Sequence, residues 1–264
     1  MGLFIAAFGA CAYALFLATF LYAVGFVANL AVSKSIDIGW PMGAAGDPVM
    51  MSMFVNIGLL GVFAVQHSVM ARPGFKRWWT RVVPQAMERS VFVLLASLSL
   101  ALVFWQWRPM GTVLWDLGDS LAGAVLVALC GAGWGLVLLS TFQIDHFELF
   151  GLKQVWTRLT GRAQPKAEFR VPLFYRHVRH PIYLGFTLAF WSTPTMSVGH
   201  LLFAAVTTGY ILIGIWFEER DLIAQFGQRY RDYRAQVGML VPRVSAGRVL
   251  RVFPRAITRV FGRG

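Results

Sequence analysis

The chain has 264 residues, 57% of them hydrophobic and 14% charged, with a net charge of +12. Ordinary soluble domains carry about 25% charged residues, so this composition excludes a typical soluble globule and points to an integral membrane protein. The basic excess does not point to nucleic acid, because the charges cluster at the ends of apolar runs, where anionic lipid lies.

Four stretches hold no Asp, Glu, Lys or Arg: 3–32, 48–71, 90–107 and 120–144. Each approaches or exceeds the ~18–20 residues a helix needs to cross the bilayer. Continuous apolar runs without alternation predict helices and exclude a barrel. The first run lacks a basic leader and a small-residue cleavage site, so it reads as a retained helix. The fifth run, 182–217, is too long for one crossing and is interrupted by Ser192-Thr193-Pro194-Thr195. Proline disfavours helical geometry in the residue before it. The expectation is a helical hairpin, about 182–193 and about 198–217, with a short first arm. The fold class is therefore all-α, a polytopic bundle of five to six membrane segments.

Charge asymmetry favours six. With the N-terminus in the cytoplasm, loops 72–89 and 145–180 and the tail 218–264 hold 22 of the 24 Lys and Arg residues on one side. That matches the positive-inside rule and places both termini in the cytoplasm, at the inner membrane. Gly131 and Gly135, spaced i, i+4 in the fourth run, are expected to admit a neighbouring helix closely. Cys11 and Cys130 have no metal or disulfide spacing and read as small buried residues. No His, Cys, Asp and Glu set has zinc spacing.

Among the loops, 145–180 is the longest between segments and opens with Asp145-His146-Phe147-Glu148-Leu149-Phe150-Gly151. In the tail, Tyr230 and Tyr233 precede Val241-Pro242-Arg243. Arg248, Arg251, Arg255, Arg259 and Arg263 then recur as one helical stripe, expected to lie on the membrane surface.

The chemistry concentrates where the hairpin begins and ends. Arg179, His180 and Tyr183 stand at its start, and Glu218 and Glu219 at its end. If 182–217 turns back on itself, these side chains converge at one membrane–water boundary. Snorkelling flanks would explain Arg220 and most of the tail. They explain adjacent carboxylates poorly, since the two repel unless a cation lies between them. An Arg for a carboxylate, acids for an ammonium or ribose, and aromatics together suit S-adenosylmethionine. A dinucleotide suits them less, because paired acids beside a pyrophosphate cost energy.

Arg179-His180-Pro181-x-Tyr183, an apolar stretch and Glu218-Glu219 resemble the signature of the isoprenylcysteine carboxyl methyltransferase superfamily. Three further segments narrow the resemblance: Gln66-His67-Ser68-x-Met70-Ala71-Arg72, Pro84-x-x-x-Glu88-Arg89-Ser90, and Phe142 to Gly151. They are similar to bacterial methanethiol S-methyltransferases, membrane enzymes that use S-adenosylmethionine to convert methanethiol to dimethyl sulfide. NnrU-like membrane proteins of nitrogen-oxide metabolism share His67-Ser68-x-Met70-Ala71. A membrane sterol-type reductase using NADPH is a further alternative, with a related C-terminal region.

The resemblance implies that residues 1–144 form the scaffold and 145–264 the cofactor-binding part. Arg179, His180, Tyr183, Glu218 and Glu219 would line the pocket, with Tyr230 and Tyr233 on the tail that closes it. The acceptor is a small thiol, methanethiol or hydrogen sulfide. A thiol must ionise to attack, so a base is needed. His146 with Asp145 is the first candidate, at the cytoplasmic end of the fourth run. His67, an ionisable residue at membrane depth, is the second. His177 reads as a loop residue, and His200 as a residue of the outer turn without a role in the site.

Overall fold

The computed structural model describes residues 2–39, 49–162 and 169–243. In chain order, α1 (Gly2–Ala28), α2 (Val49–Ala71), the short α3 (Pro73–Trp79) and α4 (Gln85–Gln106) lead to a strand, β1 (Val113–Asp116). Then come α5 (Leu121–Ile144), the short α6 (His146–Leu149), α7 (Leu152–Thr160) and α8 (Pro181–Trp191). β2 (Thr195–Ser197), α9 (Val198–Phe226) and α10 (Gln228–Gln236) complete the described chain. Five helices, α1, α2, α4, α5 and α9, are long and apolar enough to cross a membrane, so this is a multi-pass membrane protein. The arginine stripe at 248–263 lies outside the described residues.

Two opposite faces are tied by separate sets of contacts. On one, the Trp107 indole donates to Ile36 O at 3.0 Å, and Asn56 makes a reciprocal pair with the Arg108 backbone at 2.8 and 2.9 Å. There β1 pairs antiparallel with β2, and Leu117 N donates to Pro194 O at 2.9 Å. The turn between α8 and α9 therefore meets the connection between α4 and α5. On the other face, Arg72 pairs with Asp221 at 3.1 Å, and Arg89 donates to Leu149 O at 2.7 Å. Between the faces, six helices each contribute a buried residue to one core: Phe26, Leu60, Phe104, Trp134, Phe190 and Phe203.

The hairpin differs from the expectation in both arms. α8 has 11 residues, about 16 Å at 1.5 Å per residue, roughly half of the ~30 Å hydrocarbon core. Residues 173–180 lead into it from the end of α5, where Gln143 Oε1, on the last turn, accepts from Phe174 N at 3.0 Å. α9 does not stop at Phe217. It continues to Phe226, 29 residues in all, so Glu218 and Glu219 lie within a helix rather than at its end.

The close-approach glycine is Gly133, not Gly131 or Gly135. A Cβ on Gly133 would sit 2.6 Å from Gly185 O and 2.7 Å from Ala189 N, whereas nothing lies within 4 Å of the other two. Here α5 and α8 pack backbone to backbone, the arrangement small residues permit in membranes. Cys130 is buried beside Ala189 O, but Cys11 is exposed on the bundle surface, against the expectation.

Candidate functional site

Pro181 opens α8, where its missing N–H costs nothing, and His180 precedes it as the cap residue. Upstream, residues 178–180 run alongside the tail as a short parallel bridge. Arg179 N donates to Gly238 O at 2.8 Å and His180 N to Met239 O at 3.2 Å. A Cβ on Gly238 would stand 1.9 Å from Val241 O, so this turn requires glycine. The tail is thus stitched to the Arg-His-Pro segment by backbone bonds.

The side chains tighten the same junction. Arg179 Nε donates to Glu219 Oε1 at 2.7 Å, with the two side chains 8% and 11% exposed. Its remaining N–H groups reach Arg234 O at 3.2 Å and Val237 O. His180 Nε2 lies 3.2 Å from Glu219 Oε1, and its Nδ1 lies 3.8 Å from Glu218 Oε2. Arg234 approaches Glu219 Oε2 at 3.5 Å. Successive residues on a helix point about 100° apart. Glu219 therefore turns inward to the cations, while Glu218 stays 44% exposed, with the Tyr183 hydroxyl beside it. The adjacent carboxylates coexist because Arg179, His180 and Arg234 lie around one of them.

Tyr230 and Tyr233 are buried with Phe169, Val171 and Val237 beneath this junction. Tyr233 donates to Tyr175 O at 2.5 Å. The Tyr230 hydroxyl is buried without a partner among the described residues. Burial pushes both hydroxyls well above the ordinary tyrosine range, so both remain protonated donors. The seven residues Arg179, His180, Tyr183, Glu218, Glu219, Tyr230 and Tyr233 are brought into one region.

Asp145 and His146 occupy a different junction. Asp145 adopts a left-handed conformation, φ 95°, and links α5 to α6 by accepting from Glu148 N at 3.1 Å. Its carboxylate also pairs with Lys153. Burial alone would raise its pKa, but the bonds from Lys153 and Glu148 outweigh that and hold it below the ordinary carboxylate range. His146 is buried, with Thr141 Oγ1 at 2.8 Å from Nδ1 and Tyr13 Oη at 2.9 Å from Nε2. Thr141 gives its one proton to Leu138 O at 2.7 Å. Hence Nδ1 of His146 must donate to Thr141, and Nε2 must accept from Tyr13. Both nitrogens are occupied, and the ring stacks on Phe142 at 4.3 Å.

The chain is 54% identical to the methanethiol S-methyltransferase of Mycobacterium tuberculosis, over 89% of this chain and 94% of that protein. It is equally 54% identical to methanethiol S-methyltransferase 1 of Bradyrhizobium diazoefficiens, over 89% of this chain and 81% of that one. Nurim of Bos taurus is 30% identical over 70% of this chain and 73% of its own length. The chain belongs to the methanethiol S-methyltransferase family. No protein-family model and no solved structure matches it.

For a methanethiol S-methyltransferase family member, the remaining histidines separate clearly. His200 is not an exposed turn residue. It is fully buried, its Nε2 2.9 Å from Phe190 O and its Nδ1 4.0 Å from Asp37. His177 is exposed beside the Leu173–Arg176 turn. His67 lies in α2 between Phe63 and Phe92. Sequence reasoning missed Arg234, Ser68 and Tyr210. Tyr210, a hydroxyl inside the fifth apolar run, carried a signal of the same kind as His67 and accepts from Ser68 Oγ at 3.3 Å.

Proposed function

We propose that this methyltransferase uses S-adenosylmethionine to methylate methanethiol, giving dimethyl sulfide at the membrane. The single observation that carries the cofactor reading is the polarity of the Arg179–Glu219 junction. One carboxylate, Glu218, stays half exposed beside His180 and Tyr183, while its neighbour Glu219 is paired with Arg179. A free carboxylate flanked by aromatic rings suits a cation, and the unpartnered Tyr230 hydroxyl offers a buried donor. Arg234, half exposed at the rim, is placed to meet an amino-acid carboxylate. These residues fit S-adenosylmethionine, which when bound supplies an electrophilic methyl group on a sulfonium.

In this reading residues 145–264 carry the cofactor site, and Arg179 and Glu219 act by fixing its wall rather than by touching the ligand. Tyr230 and Tyr233 hold the tail against residues 178–180 and keep water out. Rate comes from aligning the thiol with the methyl group and from assisting thiol ionisation. His146 and Asp145, engaged as they are, serve the elbow between α5 and α7. The names of the relatives do not favour the NnrU-like or reductase readings.

The basic faces support an inner-membrane location with both termini in the cytoplasm: Arg72, Arg89, Arg179 and Arg234 all lie at the face away from the strand pair. The deciding experiment incubates purified protein with S-adenosylmethionine and methanethiol and measures dimethyl sulfide in the headspace. Dimethyl sulfide proportional to protein supports the assignment. None at any thiol concentration, from protein shown to be folded, refutes it.

A further inference from the structure

A line of hydroxyls leads from the exposed carboxylate into the apolar bundle. Glu218 lies beside Tyr183, whose hydroxyl stands against α9 near Gly214 and within electrostatic range of Tyr210. Tyr210 accepts from Ser68, and the residue before Ser68 is His67. The line thus crosses from α9 to α8, back to α9 and on to α2.

At its far end the His67 ring stacks on Phe63, 5.4 Å between centroids, and tilts against Phe92 at 4.9 Å. Phe63 in turn meets Tyr210 edge-on at 6.2 Å. The Nδ1 atom of His67 is buried and has no hydrogen-bond partner among the described residues. The other histidines are held differently: His146 has both nitrogens occupied, His180 faces two carboxylates, and His200 holds a carbonyl through Nε2, its Nδ1 standing 4.0 Å from Asp37 without a hydrogen bond. Leaving a buried polar atom unpaired is costly, because the group gives up its water and gains nothing in return. An ionisable side chain kept at membrane depth without a structural bond is a functional group in want of its ligand.

We infer that Phe63, His67, Phe92 and Tyr210 form the acceptor niche for a small apolar thiol, and that His67 takes the thiol proton. This rests on the methyl-transfer reading above and names its second substrate site. Sulfur packs favourably against aromatic rings, and three of the four walls are aromatic side chains. The proton moves from the thiol sulfur to His67, leaving a thiolate. The thiolate sulfur then forms a bond to the methyl carbon as the methyl–sulfonium bond breaks. That electron pair stays on the donor sulfur, giving a neutral thioether. His67 afterwards releases its proton to water. In apolar surroundings the transient imidazolium and thiolate stabilise each other as a pair. The charged or titratable groups facing the niche are Arg89 from α4, whose guanidinium lies over Phe92 at 5.1 Å and within electrostatic range of His67, Tyr210 from α9, Tyr183 from α8 and Arg72 at the end of α2. The Arg89 cation attracts the thiolate and repels the imidazolium, so it hastens loss of the proton from His67 after transfer.

The test has two readouts. Turnover of His67→Gln and His67→Ala should fall about 10²–10⁴-fold, with S-adenosylmethionine affinity unchanged, and the loss should shrink as pH approaches the thiol pKa. Free imidazole should restore part of the His67→Ala rate. Independently, wild-type protein carrying ¹³C-labelled histidine, without cofactor, should show the His67 ring resonance moving on addition of methanethiol while that of His146 stays still. The second readout needs no variant and survives a folding failure of either. Wild-type turnover in both variants, or a His67 resonance indifferent to saturating thiol, overturns the inference. A wild-type protein whose His67 resonance responds to thiol yet makes no dimethyl sulfide would instead overturn the function proposed above and leave the thiol niche standing.

Discussion

Arg179 reaches across 2.7 Å to Glu219, forty residues away, and the same guanidinium holds two backbone carbonyls of the tail. One side chain therefore joins α8, α9 and the segment after α10. Removing one partner of a buried ion pair typically costs ~3–5 kcal/mol, because the other charge is left uncompensated. Glu219→Ala should lower stability by about that amount and release the tail. Trypsin cleavage at Arg234 and Arg243 in native protein reports the release. Unchanged cleavage rates would mean the backbone bridge alone secures the tail.

Glu218 should behave oppositely. Its side chain is half exposed and carries no comparable structural burden. Glu218→Gln should leave the melting temperature near wild type and weaken S-adenosylmethionine binding by roughly 10- to 150-fold, the equivalent of losing ~1.5–3 kcal/mol from a charge-assisted bond. Calorimetry on both variants separates the wall from the ligand contact. Wild-type affinity in Glu218→Gln would remove this carboxylate from the cofactor site.

His146 makes acid stability testable. Burial lowers its pKa from the ordinary value, so the folded protein keeps it neutral where the unfolded chain takes up a proton. The sign follows: its contribution is complete above about pH 6.5, the unfolded value, and is lost as pH falls from there toward the folded value. Wild-type melting temperature should drop on acidification below that point more steeply than in His146→Gln. Parallel curves would show that this ring titrates equally in both states.

The glycine register gives a sharp pair. Gly133→Ala forces a methyl into the backbone of α8 and should cost ~1–3 kcal/mol, the usual range for overpacking. Gly131→Ala, which meets nothing within 4 Å, should be neutral or slightly stabilising. Melting temperatures in one detergent decide it, and equal losses would contradict the α5–α8 contact.

The strand pair predicts a shared side for two distant connections. Reporter fusions after Gly118 should be active in the periplasm, and fusions after Arg243 in the cytoplasm. A periplasmic signal from the second would break the alternation of segments.

The convergence of Arg179, His180, Tyr183, Glu218 and Glu219 was legible because a proline-interrupted apolar run of hairpin length has to bring its ends together. Their pairings were not. The bridge between 178–180 and 238–239 uses backbone atoms, which leave no trace in side-chain pattern. The end of α9 was misjudged for a related reason. A carboxylate pair looks like a helix terminus until Glu219 is seen to lie against Arg179. In Gly131-Ala132-Gly133-Trp134-Gly135 three glycines alternate at two-residue spacing, and only the facing Gly185 decides which of them is used. For Asp145-His146 the sequence offers a base, and what it cannot show is that Tyr13, more than a hundred residues earlier, bonds the imidazole.

The shortness of α8 carries a consequence for how this methyltransferase meets its substrates. With residues 173–180 leading into α8 from the end of α5, a water-borne donor would enter from that side, while a volatile, oil-soluble acceptor would arrive sideways from the hydrocarbon. Methanethiol concentration is then set by partitioning into lipid, and its apparent KM should scale with the volume of bilayer or detergent in the assay at fixed total thiol. The product, less polar than the thiol, departs into the same phase. The membrane acts here as reservoir and drain together, so enlarging the lipid phase at fixed total thiol should slow the reaction without touching the protein.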